Sequence, residues 1–349
     1  MSGFDIRTAK IVWTAFLVAF LLFFIYSIRQ TLLVVIFAIF FSYLLYPMIA
    51  WVERHTSTTV PRTVSIGAVF ALVFIIVAVA GSVLGSQIAD EARKLSQQLP
   101  SLLNVKNVSD RIPLPEFLEP LRVQMVAFIS EQLQGNAGQA VPFARKLGLG
   151  ALHALSNLIY LVLVPVLSFL LIKEAPSLER EMLAWIGRSR SLLWGGIIKN
   201  LDALMAGYVR ALLILSITTC IVYSAVFSLM GIAYALLLGV MAGLLEVIPF
   251  VGPLTAAVAV LAISAISGYP HLLWFLAFIV GYRLFQDYVL NPSLMSAGIE
   301  VSPLLVILGL LAGEQVGGVA GIFLAVPVAA ALKIILAQVV ANSSSAGTT

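Results

Sequence analysis

The stretch from Gly239 to Pro253 combines one carboxylate with a helix break inside a long apolar region. It reads Gly-Val-Met-Ala-Gly-Leu-Leu-Glu-Val-Ile-Pro-Phe-Val-Gly-Pro, with the carboxylate at Glu246. A charge at the centre of a bilayer costs about 2.5–3.5 kcal/mol on insertion scales, and lipid cannot satisfy the backbone groups that a broken helix frees. Both features are tolerated where they line a cavity. We therefore interpret Glu246, Pro249, Gly252 and Pro253 as part of a transport pathway.

The composition requires several membrane spans. Of the 349 residues 61% are hydrophobic and 10% are charged, whereas soluble domains contain about 25% charged residues. The net charge of +4 does not indicate nucleic acid here, because most of the basic residues fall in loops, where they set membrane topology. We expect the lipid bilayer as a partner and no nucleic acid.

The apolar segments predict an all-α polytopic membrane protein with about eight transmembrane helices, since a span needs about 20 apolar residues. The predicted spans are 11–28, 31–52, 64–85, 149–172, 207–230, 232–248, 254–266 and 272–290. A further apolar block, 303–340, would form a straight helix of about 55 Å against a hydrocarbon core of about 30 Å. We expect it to turn back at Glu314–Gly318, so broken or re-entrant helices belong to the C-terminal half.

The same pattern divides the chain into four regions. We predict a three-span membrane region over 1–85, an amphipathic helical extramembrane segment over 86–148, a transport core over 149–341 and a disordered tail over 342–349. Two apolar stripes at helical spacing motivate the extramembrane segment. They are Ile88, Ala92, Leu95, Leu99 and Leu102, interrupted by Pro100, and Leu118, Leu121, Met125, Ile129 and Leu133.

Basic residues predict the orientation. An odd–even count of spans places the N-terminus, the 53–62 loop and the 173–206 loop on one side of the membrane, and all three carry Lys or Arg. Cytoplasmic loops are enriched in these residues. We expect both the N-terminus and the C-terminus to be cytoplasmic.

Ionisable residues within membrane spans are candidate functional residues by default. Glu246, Arg283, Asp287 and Glu314 are such residues, and Gln286 lies beside them. Glu246 has no cation near it in sequence, which favours a functional role. Arg283 and Asp287 are four residues apart and are equally well explained as a structural pair. Glu314 falls at the expected turn, where contact with water lowers the free-energy cost of its charge.

Small residues recur every four positions in the last apolar block, a spacing that lets helices approach closely. They are Gly309, Gly313, Gly317 and Gly321, continued by Ala325 and Ala329, with Pro327 among them. Tight packing explains the ridge, and a hinge or sliding surface is the alternative. Residues 238–246 and 308–314 also resemble each other, each with a GxxxG step before a glutamate. Paired interrupted segments of this kind are typical of secondary transporters.

Other chemistry has little support in the sequence. The single cysteine, Cys220, excludes an intrachain disulfide, and the three histidines do not cluster with carboxylates. The phosphate-binding motif GxxxxGK[ST] does not occur, which argues against ATP-driven transport by this chain alone. We predict no catalytic residues, no metal site and no cofactor, and therefore no enzyme.

Several blocks resemble a known family. Glu246–Pro253 resembles the signature of the autoinducer-2 exporter family of bacterial permeases, and residues 164–172, 231–239, 286–292 and 318–327 are similar to other blocks of that family in the same order. The resemblance implies a bacterial inner-membrane protein and a homo-oligomer. Some members are associated with autoinducer-2 export and others with sodium–proton antiport. This chain has Ser302-Pro303 where many members have His-Pro, and Ser296-Ala297 where glycine and often a basic residue occur.

Three functions remain open at this point. The leading hypothesis is a secondary transporter that exports a small polar solute, with autoinducer-2 as the candidate. The second is a sodium or lithium–proton antiporter, whose partner would be a monovalent cation. The third is a membrane scaffold that binds partners through 86–148 and transports nothing.

Overall fold

The computed structural model describes residues 6–56, 60–102, 158–186, 188–294 and 302–346. Every regular element in these ranges is a helix, which confirms the predicted all-α fold. In chain order the helices are α1 (Ile6–Ser27), α2 (Arg29–His55), α3 (Arg62–Leu102), α4 (Leu158–Ile186), α5 (Arg188–Leu229), α6 (Ala235–Leu245), α7 (Val251–Ile266), α8 (Leu272–Phe285), α9 (Pro303–Gly317) and α10 (Val319–Ala346). A π-helical turn (Gln286–Leu290) and a short helix (Asn291–Leu294) continue α8.

Five of the described helical segments are long and apolar enough to cross a membrane, judged by length and composition. They are Arg29–His55, Arg62–Gln98, Leu193–Leu229, Leu272–Leu294 and Val319–Gln338, and shorter apolar helices accompany them. Many large apolar side chains are exposed, for example Phe23, Trp274 and Leu244. A water-soluble protein would bury such a surface, whereas a lipid bilayer covers it. The chain is therefore a polytopic membrane protein.

Some helix bounds differ from the predicted spans. The sixth span, expected over 232–248, is the 11-residue helix α6, which covers only about 16 Å at 1.5 Å per residue. Two backbone features limit the length of this helix. Tyr234, directly before α6, has a left-handed conformation that α-helix residues do not adopt, and the chain leaves the helix in turns that begin at Glu246. Helix α3 continues past Gly85 to Leu102, and α10 extends to Ala346, into the segment predicted as a tail. The second stripe, at 118–133, lies outside the described residues.

The last apolar block turns back where the sequence predicts. Helix α9 ends at Gly317, Gly318 has φ +58°, and α10 begins at Val319. Only glycine adopts this backbone conformation at little cost. Helices α9 and α10 pack closely along the hairpin, where a Cβ on either Gly313 or Gly321 would collide with the backbone of the other residue.

Helix α5 organises the two interrupted regions. Its C-terminal half packs against α6, with Ser224 against Gly239 and Cys220 against Gly243. Its N-terminal half packs against α10, where the hydroxyl of Tyr208 donates to the carbonyl oxygen of Phe323 at 3.4 Å. Both α6 and α10 run antiparallel to α5. The end of α6 and the start of α10 therefore approach the middle of α5 from opposite ends.

Candidate functional site

The helix break after α6 forms a compact turn whose backbone groups are paired locally. The amide of Ile248 donates to the carbonyl oxygen of Leu245 at 2.9 Å, and that of Gly252 donates to Ile248 at 2.9 Å. Phe250 has φ +62°, an uncommon conformation for a residue with a side chain. A side chain at position 252 would collide with the carbonyl oxygen of Leu245. Glycine is thus required where α7 folds back on α6.

Glu246 is the first residue after α6, and its side chain is only 7% exposed. Its Oε1 lies 3.5 Å from Nη1 of Arg283, which comes from the last turn of α8. No sequence pattern indicates this partner, because 37 residues separate Glu246 and Arg283. An isolated buried carboxylate is strongly unfavourable, whereas a paired one is tolerated. The Arg283 guanidinium is therefore what allows a carboxylate at this position.

Arg283 holds a second carboxylate at the same time. Its Nη2 lies 2.9 Å from Oδ1 of Asp287, and its Nε donates to Oδ2 of Asp287 at 3.0 Å. This two-point contact is the geometry that guanidinium groups favour with carboxylates. The amide of Asn291 donates to Asp287 Oδ1 at 3.1 Å. Arg283 and Asp287 therefore form the ion pair that was one of the two explanations open from the sequence, and Arg283 also contacts Glu246.

A neutral hydrogen-bonded group lies beside these charges. The amide of Gln286 donates to the hydroxyl oxygen of Thr219 at 2.9 Å, and that hydroxyl lies 3.3 Å from the hydroxyl of Tyr282. Gln286 and Thr219 are each 1% exposed, and both side chains also approach the Glu246 carboxylate. Gln286 begins the π-helical turn, a distortion that is frequent at functional sites.

Together these side chains form one polar cluster, which we call the α5–α6–α8 cluster: Thr219, Glu246, Tyr282, Arg283, Gln286, Asp287 and Asn291. Its formal charge is one negative unit, because two carboxylates face one guanidinium. The cluster combines carboxylate acceptors, guanidinium and amide donors, and hydroxyls that serve as either. Such a set can exchange hydrogen bonds with a polar solute in place of water.

The structure brings together four of the predicted pathway residues and leaves one apart. Glu246, Arg283, Gln286 and Asp287 meet in the cluster, and Pro249, Gly252 and Pro253 form the adjoining break. Glu314 is exposed near the end of α9, and within the described ranges no ion pair joins it to the cluster.

The predicted packing glycines take different positions. Gly313 and Gly321 touch backbone to backbone, and a Cβ on Gly309 would contact Ala325 at 3.5 Å. A Cβ on Gly317 would instead contact the side chain of Leu33 in α2 at 3.8 Å. Pro327 lies inside α10. Gly313 and Gly321 therefore form a close contact between α9 and α10. A Cβ on Gly317 would point towards α2, so the four glycines do not line one continuous surface.

Sequence reasoning missed Thr219 and Tyr282. Both lie in apolar segments without a motif, and only the helical packing brings them together. The polar run Thr218-Thr219-Cys220 inside an otherwise apolar span was the available signal. Among the residues that the structure describes, no group of three His, Cys, Asp or Glu side chains is arranged to hold a metal ion.

A many-helix membrane fold with an interrupted helix and a buried, paired carboxylate defines the class of polytopic membrane transporters. Comparison with known families is more specific. The family model for AI-2E family transporters matches residues 14–341, so the chain belongs to that family. It is accordingly a multi-pass membrane permease of a bacterial transporter family.

Individual relatives agree with this assignment. The chain is 25% identical to YrrI of Bacillus subtilis over 323 residues, which cover 88% of this chain and 86% of YrrI. It is 25% identical to the AI-2 transport protein TqsA of Escherichia coli over 317 residues, which cover 89% of this chain and 87% of TqsA. The name of YrrI assigns it to transport without stating a solute.

Proposed function

We propose that this permease is a secondary transporter that exports a small polar solute across the bacterial inner membrane, with autoinducer-2 as the first candidate. The observation that carries the proposal is the buried Glu246 at a helix break, held by Arg283 beside neutral hydrogen-bonding side chains. Broken helices with polar groups at their ends are the usual substrate sites of secondary transporters. The similarity to TqsA, which is named for AI-2 transport, motivates the choice of solute.

The charge arrangement favours a polar solute over a monovalent cation. Arg283 lies between Glu246 and Asp287 and contacts both. A sodium–proton exchanger needs carboxylates that release one cation and accept another, and here a fixed guanidinium occupies the space between the two acids. The antiporter alternative is therefore less well supported than solute export.

The scaffold alternative also has less support. It depends on residues 86–148, most of which lie outside the described ranges. It gives no reason for a charged cluster among apolar helices, where each charge costs free energy.

Flux measurements on the purified protein in proteoliposomes test the proposal. Autoinducer-2 efflux and sodium-dependent proton movement should be measured side by side on the same preparation, with protein-free liposomes as the blank. We expect autoinducer-2 efflux above the blank and no sodium-dependent proton movement between about pH 7 and 9. Sodium-driven proton movement without solute efflux would contradict the proposal and favour the antiporter.

A further inference from the structure

Helix α6 lacks a cap from its own chain segment. Tyr234 at the N-cap position has φ +61° and makes no side-chain capping bond. The first amide groups of any helix have no partner within the helix and need one from elsewhere. In α6 the partner is supplied by a distant part of the chain.

The C-terminal half of α3 supplies that partner. Oε2 of Glu91 accepts a hydrogen bond from the backbone amide of Leu237 at 2.8 Å. A carboxylate at this end of a helix also interacts favourably with the helix dipole. About two helical turns further along α3, Oε1 of Gln98 accepts a hydrogen bond from the hydroxyl of Tyr234 at 2.6 Å. Two polar contacts thus fix the start of α6 to α3.

An apolar contact lies between them. Leu95 is four residues after Glu91 and three before Gln98, so all three share one face of α3. Leu95 is 9% exposed and belongs to the hydrophobic core that contains Phe227 and Ala235. The face Glu91–Leu95–Gln98 is therefore docked on the start of α6 by one buried side chain and two hydrogen bonds.

Strained residues lie at the start of α6 and at the end of the turn that follows it. Tyr234 directly precedes α6 with φ +61°, and Phe250 directly precedes α7 with φ +62°. Residues with side chains keep such conformations only where the surrounding structure imposes them. Glu246 lies at the C-terminal end of α6, so the position of the helix also sets the position of the carboxylate.

We propose that the face Glu91–Leu95–Gln98 of α3 clamps α6. We also propose that Glu91 and Gln98 are positioning residues of the transport pathway, an inference that rests on the proposed role of Glu246 in solute export. They act on Glu246 through α6 and do not contact the solute. Loss of the clamp lets α6 move away from α5, which shifts Glu246 relative to Arg283.

The chain contains a natural reporter for this movement. Cys220 is the single cysteine, and it lies on α5 beneath α6, where a Cβ on Gly243 would be 2.7 Å from the Cys220 Cβ. Cys220 is already partly exposed, and movement of α6 away from α5 exposes its thiol further. Its rate of reaction with N-ethylmaleimide therefore reports the position of α6.

The labelling rate should be measured by intact mass on the purified protein, well below the unfolding temperature, with C220S as the blank. Glu91→Ala removes the acceptor, and we expect the rate to rise by about 3- to 10-fold, the change produced by loss of one hydrogen bond. Glu91→Gln keeps an acceptor oxygen and should stay closer to the wild-type rate. Asp90→Ala is the matched control, because Asp90 pairs only with its exposed neighbour Arg93 in the described contacts.

Equal labelling rates in Glu91→Ala and Asp90→Ala would overturn the proposal, as would a rise that occurs only with a global loss of thermal stability. Tyr234→Phe gives a second test if Glu91→Ala does not fold. It removes the bond to Gln98 and should raise the rate by about 2- to 5-fold, whereas an unchanged rate would count against the clamp. The measurement requires no transported solute, so its failure is distinct from failure of the proposed export function.

Discussion

Arg283 is the residue on which the polar cluster depends, because it forms ion pairs with two carboxylates that come from different helices. Its side chain and that of Asp287 are 35% and 40% exposed, whereas Glu246 is 7% exposed. The free-energy cost of losing Arg283 therefore falls mainly on Glu246, which would be left buried and unpaired.

A double-mutant cycle tests this dependence. We expect Arg283→Gln to destabilise the protein by about 2–4 kcal/mol, since removal of one partner of a buried pair leaves an uncompensated charge. The combination of Arg283→Gln with Glu246→Gln removes that charge and should recover most of the loss. Thermal unfolding of the purified variants measures both effects.

Arg62→Gln is the matched control for the cycle. Arg62 forms an exposed pair with Glu53 at 3.2 Å, and its loss should cost less than about 1 kcal/mol. A double variant no more stable than Arg283→Gln would show that the buried charge is not the source of the cost.

At the scale of the helices, glycines decide how closely the segments pack. Gly243 sits against α5, where a Cβ would lie 2.7 Å from the carbonyl oxygen of Ser216. Gly281 in α8 has no atom within 4 Å of the equivalent position. Both glycines lie in helices that contribute to the cluster. Packing excludes a larger side chain at Gly243 but leaves room for one at Gly281.

Alanine substitution should separate the two positions. We expect Gly243→Ala to cost about 1–3 kcal/mol, because the backbone of α5 must move to admit the methyl group. Gly281→Ala should be neutral or stabilising by up to about 1 kcal/mol, because alanine is the better helix former. Thermal unfolding checks the pair, and equal effects would contradict the close α5–α6 contact.

The hairpin between α9 and α10 gives a second comparison at this scale. Gly318 has φ +58° and ψ −136°, a conformation that costs other residues about 1–3 kcal/mol. Gly317 is helical, and a Cβ there would lie at an ordinary contact distance of 3.8 Å from Leu33. We expect Gly318→Ala to lower the unfolding temperature and Gly317→Ala to leave it nearly unchanged. A larger drop in unfolding temperature for Gly317→Ala than for Gly318→Ala would contradict a turn centred on Gly318.

At the scale of the whole molecule, the sequence was sufficient for the fold class and for the turn at Glu314–Gly318, because apolar length and glycine placement dictate both. It also singled out Glu246 as a candidate, because a carboxylate is conspicuous in an apolar segment, and it offered pairing at a spacing of four residues as one explanation of Arg283 and Asp287. It did not predict the contact of Glu246 with Arg283 or the roles of Thr219 and Tyr282. These depend on how α5, α6 and α8 pack, and a single sequence carries no signal for packing between distant helices.

The orientation in the membrane stays a prediction from the basic residues. A C-terminal fusion to green fluorescent protein should fluoresce in cells, because that reporter folds in the cytoplasm, and a C-terminal alkaline phosphatase fusion should be inactive. An active phosphatase fusion with a dark fluorescent fusion would place the C-terminus outside and reverse the predicted topology.

The proposed place of Glu246 in the solute pathway can be tested by comparing transport in two carboxylate variants. Autoinducer-2 efflux should be compared in proteoliposomes of the wild type, Glu246→Gln and Glu181→Gln, where Glu181 is an exposed carboxylate at the end of α4. We predict that Glu246→Gln lowers efflux by about tenfold or more, as expected for loss of about 1.4 kcal/mol or more of interaction with the solute. Glu181→Gln should retain wild-type efflux. Wild-type efflux from correctly folded Glu246→Gln would contradict the claim.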